Sequence, residues 1–173
     1  MIINWKLGLL AFVICSVTFV PALDSAYSKT VDTTVTPTFV GDFSVNSQDT
    51  SPEGMAFNTD GTKMFIVGDQ NDNVYEYACS KGFDVSTCTL EDTQDVSGQD
   101  TIPRGIAFNT AGTKMFILGD ASNDVTEYTL DTGFDISDNL TVVASASDPF
   151  SVAAQEVTPN DHEFNKDGTK MLV

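Results

Sequence analysis

The string PEGMAFNTDGTKMFIVGD at residues 52–69 returns as PRGIAFNTAGTKMFILGD at residues 103–120, an offset of 51 residues. Over residues 52–77 against 103–128, 17 of 26 positions are identical. A third copy starts at Pro159 and matches 7 of 15 positions from Pro103 onward; its offset of 56 implies five inserted residues between Ser145 and Pro159. Self-similarity at one period means that each copy folds as the same small unit. Such a unit buries its apolar residues against its neighbours rather than alone.

Within one copy the pattern is that of strands. Gly54 to Asn58 is a short apolar run, Thr59-Asp60-Gly61 supplies turn chemistry, and Lys63 to Val67 is apolar on both faces. A strand apolar on both faces has to lie between two layers. Gly68 to Asn73 is a polar turn, Val74 to Tyr77 alternates as a half-covered strand does, and a more polar fourth strand falls near Cys88 to Val96. Four strands grading from buried to exposed within one repeat describe a blade of a β-propeller.

The expected fold class is therefore all-β: a partial β-propeller of four-stranded antiparallel blades with a repeat of 51 residues. Residues 38–50 align at the same offset with the end of the next copy, sharing Val45/Val96 and a Gln-Asp-Thr triplet. They read as the outer strand of a preceding, closing blade. Residues 51–101 then make blade 1, 102–152 blade 2 and 153–173 the start of blade 3. Lys170 to Val173 stops inside a second strand, and closed propellers have roughly 4 to 8 blades, so the expectation is a truncated reading of a longer protein. Self-assembly of partial propellers into a ring is the rival.

Lys and Arg number 8 against 25 Asp and Glu, a formal net charge of −17, while 41% of residues are hydrophobic. That much apolar material excludes an acidic disordered tail. The scarcity of Lys and Arg excludes a nucleic-acid partner and disfavours an anionic membrane surface. Residues 1–28 read as an export signal, with Lys6 ahead of the apolar run Leu7 to Val20, too short at 14 residues to span a bilayer comfortably. Cleavage is expected after Ala22 or near Ala26-Tyr27-Ser28, an uncleaved anchor being the alternative; residues 29–37 follow as a linker. The expected address is secreted or periplasmic, with no membrane span after cleavage. Cys15 leaves with the signal, and Cys79 and Cys88 remain. In an oxidising compartment such a pair closes the end of a hairpin; a metal or redox pair is the other reading.

The strings SPEGMAFNTDGTKMFIVGDQNDNVYEY and TIPRGIAFNTAGTKMFILGDASNDVTEY resemble the repeats of secreted bacterial and phage propellers grouped with the YVTN, NHL and lactonase-type propellers. The resemblance runs over residues 38–173 and implies the fold. Propellers host unrelated activities, so function has to be argued from individual residues.

Asn58, Gly61, Thr62 and Lys63 recur in both later copies and read as hairpin chemistry. Lys63 and Glu76 recur as Lys114 and Glu127; a turn that pairs Val67 with Val74 sets Phe65 opposite Glu76 and Lys63 diagonally from it, which suits a cross-strand ion pair. The acidic turns carrying Asp69, Asn71, Asp72 and Asp120, Asn123, Asp124 share a face with the fourth-to-first connections, which bring Asp49, Glu53, Asp100 and Arg104. Carboxylates and amides converging there would suit Ca²⁺, which takes roughly six to eight oxygen ligands; solvated turns are the plainer account. Glu53, Arg104 and Asn160 occupy one variable address after the repeated proline, as ligand-reading positions on a rim would. Asp161, His162 and Glu163 interrupt an apolar first strand that should line the central channel. They make either a ligand site or a degenerate blade packed around a satisfied histidine.

No G-x-S-x-G elbow is present, His162 is the sole histidine, and the sole tryptophan, Trp5, lies in the signal. The preferred expectation is a secreted binding or scaffolding propeller with an extracellular or periplasmic ligand, protein or carbohydrate, and Ca²⁺ as its candidate cofactor. The alternative is a fragment of a lactonase-like or other hydrolytic propeller enzyme.

Overall fold

A computed structural model describes residues 39, 41–137, 140–143, 149–165 and 168–173; the expected signal and linker at 1–37 lie outside the described residues. The described chain is all-β. Strands β1 (Pro52–Phe57), β2 (Lys63–Gly68), β3 (Asn73–Cys79) and β4 (Cys88–Asp95) form an antiparallel sheet in that order, with a 3-10 turn at Val85–Thr87 before β4. Strands β5 (Pro103–Phe108), β6 (Lys114–Gly119) and β7 (Asp124–Thr129) repeat the first three in a second sheet. Its outer position is shared by β8 (Thr141–Val142) and β9 (Phe150–Ser151), both paired with β7. Strands β10 (Glu163–Phe164) and β11 (Met171–Leu172) form a third hairpin. Successive antiparallel meanders of this kind are propeller-like blades.

The register follows from the turns. Val67 pairs with Val74 and Phe65 with Glu76, as the spacing required. The β1–β2 turn is closed by Asn58: its N–H donates to Lys63 O (3.0 Å), its Oδ1 accepts the Lys63 N–H (3.0 Å), and its Nδ2 donates to Thr62 Oγ1 (3.1 Å). Asn109 and Asn165 make the same three bonds in the later copies. Gly61, Gly112 and Gly168 hold φ of 74°, 71° and 68°, the left-handed conformation that this turn demands and side chains resist. Here the recurring Asn-x-x-Gly-Thr-Lys string is hairpin chemistry.

The core lies between sheets. Phe65, Val67 and Val74 on one face of the first sheet pack with Ile106, Met115, Ile117 and Tyr128 of the second. The Phe65 ring, 0% exposed, stands 4.5 Å from Phe108. Phe116 meets Phe164 of the third hairpin at 4.6 Å, so the second seam repeats the first. The opposite face of the first sheet gathers Met64, Ile66, Tyr75 and Tyr77 under Phe43 and Val45. Burying a side chain of this size contributes about 1.5–3 kcal/mol, which explains why β2 and β6 carry apolar residues on both faces.

Residues 41–45, expected as part of the outer strand of a preceding blade, join no ladder among the described residues. The chain turns at Val45, whose carbonyl accepts the N–H groups of Gln48 (2.9 Å) and Asp49 (3.0 Å), as the Val96 carbonyl accepts those of Gln99 (3.0 Å) and Asp100 (3.3 Å), and Phe43 and Val45 pack on the first sheet. In the second sheet the outer strand is split. In the first sheet β3 is flanked by Leu90 opposite Tyr77 and Gln94 opposite Val74, four positions apart. The equivalents are Val142 opposite Tyr128 and Phe150 opposite Val125, eight apart. The four extra positions between these pairings account for most of the five-residue change in repeat offset.

Cys79 and Cys88 are bonded, joining the end of β3 to the start of β4. Closing so short a loop restricts the unfolded chain by about 2–3 kcal/mol in the chain-entropy account. The Cys79→Ser/Cys88→Ser double variant is expected to lose about that much in urea unfolding, with native-like circular dichroism.

Candidate functional site

Chemically active side chains gather at the two ends of the seam between the sheets. At one end, β2–β3 and β6–β7 turns meet the connections that lead into β1 and β5. Asp49 and Asp100, only 1% and 5% exposed, sit in those connections. Asp49 accepts the N–H groups of Ser51 (2.7 Å) and Asn71 (3.2 Å). Asp100 accepts those of Ile102 (2.7 Å) and Ser122 (2.9 Å), and the Ser122 hydroxyl (2.6 Å). Each carboxylate thus ties its own connection to the turn of the sheet that follows. A Cβ on Gly68 or Gly119 would overlap these carboxyl groups, which is why both copies of β2 end in glycine. Gln48 and Gln99 add to the tie by taking the Tyr75 and Tyr128 hydroxyls, on the Gln48 carbonyl (2.8 Å) and Gln99 Oε1 (2.9 Å) respectively.

Arg104, at the variable address, bridges the sheets. Its Nη1 lies 2.9 Å from Glu53 and 3.2 Å from Asp69 of the first sheet, and its Nη2 lies 3.4 Å from Asp120 of the second. Two of the expected Ca²⁺ ligands, Asp69 and Asp120, are therefore held by a guanidinium. Asn71 donates its amide to Gln48 O (2.9 Å), and Asp124 pairs with Gly119 at the start of β7. Asp72 and Asn123 occupy equivalent turn positions at φ of 52° and 56°, a conformation their short polar side chains tolerate. The Oδ1 atoms of both are buried without a hydrogen-bond partner. Burial, and then the carboxylates of Asp69, Asp95, Asp100 and Asp49, push the Asp72 carboxyl above its usual range. Among the described residues no three His, Cys, Asp or Glu side chains converge as a metal-holding group.

At the opposite end, Glu76 is buried (1% exposed) and takes the Lys63 ammonium on Oε1 and the backbone N–H of Ile136 on Oε2 (2.8 Å). The expected cross-strand pair is present, and it reaches across the seam to a residue sixty positions away. Burial raises the Glu76 carboxyl against the pull of Lys63 and of that N–H. Lys114 and Glu127 repeat the pair at 2.5 Å.

The remaining candidates are dispersed. Asn160 is exposed and its amide donates to Thr158 O (3.1 Å). Glu163 is exposed opposite Leu172, and Asp161 accepts the backbone N–H of His162 (2.8 Å). The His162 side chain faces the second sheet at Gly105 and is 4% exposed, so it does not line an open channel. Sequence reasoning missed the tying role of Asp49 and Asp100; the recurring Gln-Asp-Thr triplet beside a recurring glycine was the available signal.

No family model and no curated protein matches the chain. Among solved structures it is similar to a 6-phosphogluconolactonase-like protein of Bacteroides uniformis, with a TM-score of 0.51 and 15% identity over 69% of this chain. The match spans 32% of that protein's length. At that identity the likeness concerns the fold alone.

Replacing Asp100 by Ala strands the backbone N–H groups of Ile102, Ala121 and Ser122 and the Ser122 hydroxyl, and is expected to cost about 2–4 kcal/mol in urea unfolding. Asp120→Asn, on the partly solvated Arg104 pair, should cost under about 1 kcal/mol.

Proposed function

We propose that the chain belongs to a secreted β-propeller acting as a binding or scaffolding surface, with the seam rim around Arg104 as the surface that meets the ligand. The observation that carries this reading is the cluster of Glu53, Asp69, Arg104 and Asp120, in which side chains from two sheets hold a fixed charge pattern at a variable address of the repeat. Three carboxylates around one guanidinium leave the rim negative. The buried, unpartnered Oδ1 atoms of Asp72 and Asn123 add acceptors that a cation would satisfy. A protein or carbohydrate ligand docked with the help of Ca²⁺ fits that chemistry. The disulfide agrees with an oxidising, extracytoplasmic address, and no helix among the described residues is long and apolar enough to cross a membrane.

If the rim takes Ca²⁺ with the millimolar-range affinity usual for extracellular modules, about 10 mM Ca²⁺ should stabilise the chain by roughly 1.4–2.7 kcal/mol over a chelated sample. The gain should fall in Asp72→Asn. Identical melting curves with Ca²⁺ and chelator would remove the cation from the proposal.

The fold likeness to the 6-phosphogluconolactonase-like protein favours a second reading, hydrolysis of a lactone, with the remaining groups supplied by further blades. Hydrolysis of 6-phosphogluconolactone by the full-length protein above the spontaneous rate would establish it. His162 is a poor candidate for the general base there, because burial, opposed by Asp161, holds its pKa down at about 4.

A further inference from the structure

We propose that the seam between the second sheet and the third hairpin is acid-sensitive, and that His162 is the group that opens it. The two seams are built alike: Phe65 meets Phe108 at 4.5 Å in the first, and Phe116 meets Phe164 at 4.6 Å in the second. They differ at one buried position of the inner strand. Ile106 fills it in the first seam at 5% exposure, and His162 fills it in the second at 4%.

The imidazole packs among apolar side chains and backbone, with the Asp161 carboxylate also over Gly105. It stands edge-on to Phe164 at 5.7 Å, and it fills the space over Gly105, where a Cβ would fall 2.8 Å from its Nδ1 and 3.4 Å from Leu118. Neither ring nitrogen has a hydrogen-bond partner. An orphaned buried polar group costs about 1–3 kcal/mol where an isoleucine would cost nothing, so the position is tuned away from maximum stability. The charged groups near it are few. Asp161 on its own segment is attractive to an imidazolium; Glu163 stands on the opposite side of the strand. The charged side chain of β5 is Arg104, already engaged by Glu53, Asp69 and Asp120. Leu118 on β6 and Phe116 carry no charge.

A proton can therefore be accepted only with water, and water reaches the ring only when the hairpin lifts from β5. The closed form disfavours the imidazolium, holding the ring's pKa at about 4 against 6.5 when free. The open form binds the extra proton, so opening grows as pH falls below 6.5 and levels off below about 4. Between pH 7 and pH 5 the opening constant rises roughly 20-fold. The first seam has Ile106 in place of the histidine, and its own buried acid, Glu76, has a carboxyl raised by burial, which favours the closed form as pH falls; acid opening is therefore expected at the second seam alone.

His162 is the sole histidine of these 173 residues, so a protein of this sequence gives one titrating imidazole resonance. Amide exchange at pH 7 and pH 5, corrected for intrinsic rates, follows opening of each seam. The expected result is an imidazole that does not titrate above pH 5 in the folded chain, with about 20-fold more opening of β10 and β11 at pH 5 and none of β2 or β3. The acid response should vanish in both His162→Ile and His162→Met. A ring that titrates near 6.5 in the folded wild type, or an equal acid opening in the isoleucine variant, would overturn the proposal.

Discussion

Apolar side chains on both faces of β2 and β6 are the constraint from which the rest of the structure follows. A sheet of four strands that covers only one face of Phe65 or Met115 would leave the other wet, at a cost of a few kcal/mol per residue. Stacking one sheet on the next removes that cost at every seam, and it makes the sheet an incomplete unit by itself. The repeat in the sequence and the seam in the structure are two views of the same requirement.

Apolar faces are slippery, and polar groups at both ends of the seam give it a definite geometry. Asp49 and Asp100 tie each entering connection to the turn it meets, and Glu76 holds Ile136 of the next sheet from the far end. A buried carboxylate contributes here only because its acceptor sites are filled by N–H and O–H groups; unfilled, it would oppose folding. Arg104 adds a looser, partly solvated bridge that one seam possesses and the next lacks.

What was legible in the sequence was what is local in the chain. The Asn58 turn, the pairing of Val67 with Val74 and the diagonal Lys63–Glu76 pair all follow from spacing within one hairpin. Contacts between distant stretches were not legible, because they join residues 22 to 60 positions apart whose side chains give no periodic signal: Asp49 with Asn71 at the edge of the first sheet, Glu76 with Ile136 across the seam. Of the rim candidates, Asp69 and Asp120 are shared by Arg104, a contact between copies of the repeat that spacing within one copy does not encode. Strand order alone does not say which neighbour a first strand leans upon, so the packing of His162 over Gly105 was not legible either. The split of the outer strand into β8 and β9 was foreshadowed only by the change of repeat offset.

Among the described residues Asp49, Asp100 and Glu76 each close onto the sheet that comes after, so the row of sheets has a direction. A sheet therefore depends on its predecessor for a tether and supplies one to its successor. Loss of one member exposes two apolar walls and frees two tethers at once, which makes the row come apart as a zipper from its weakest junction rather than as a set of separate beads.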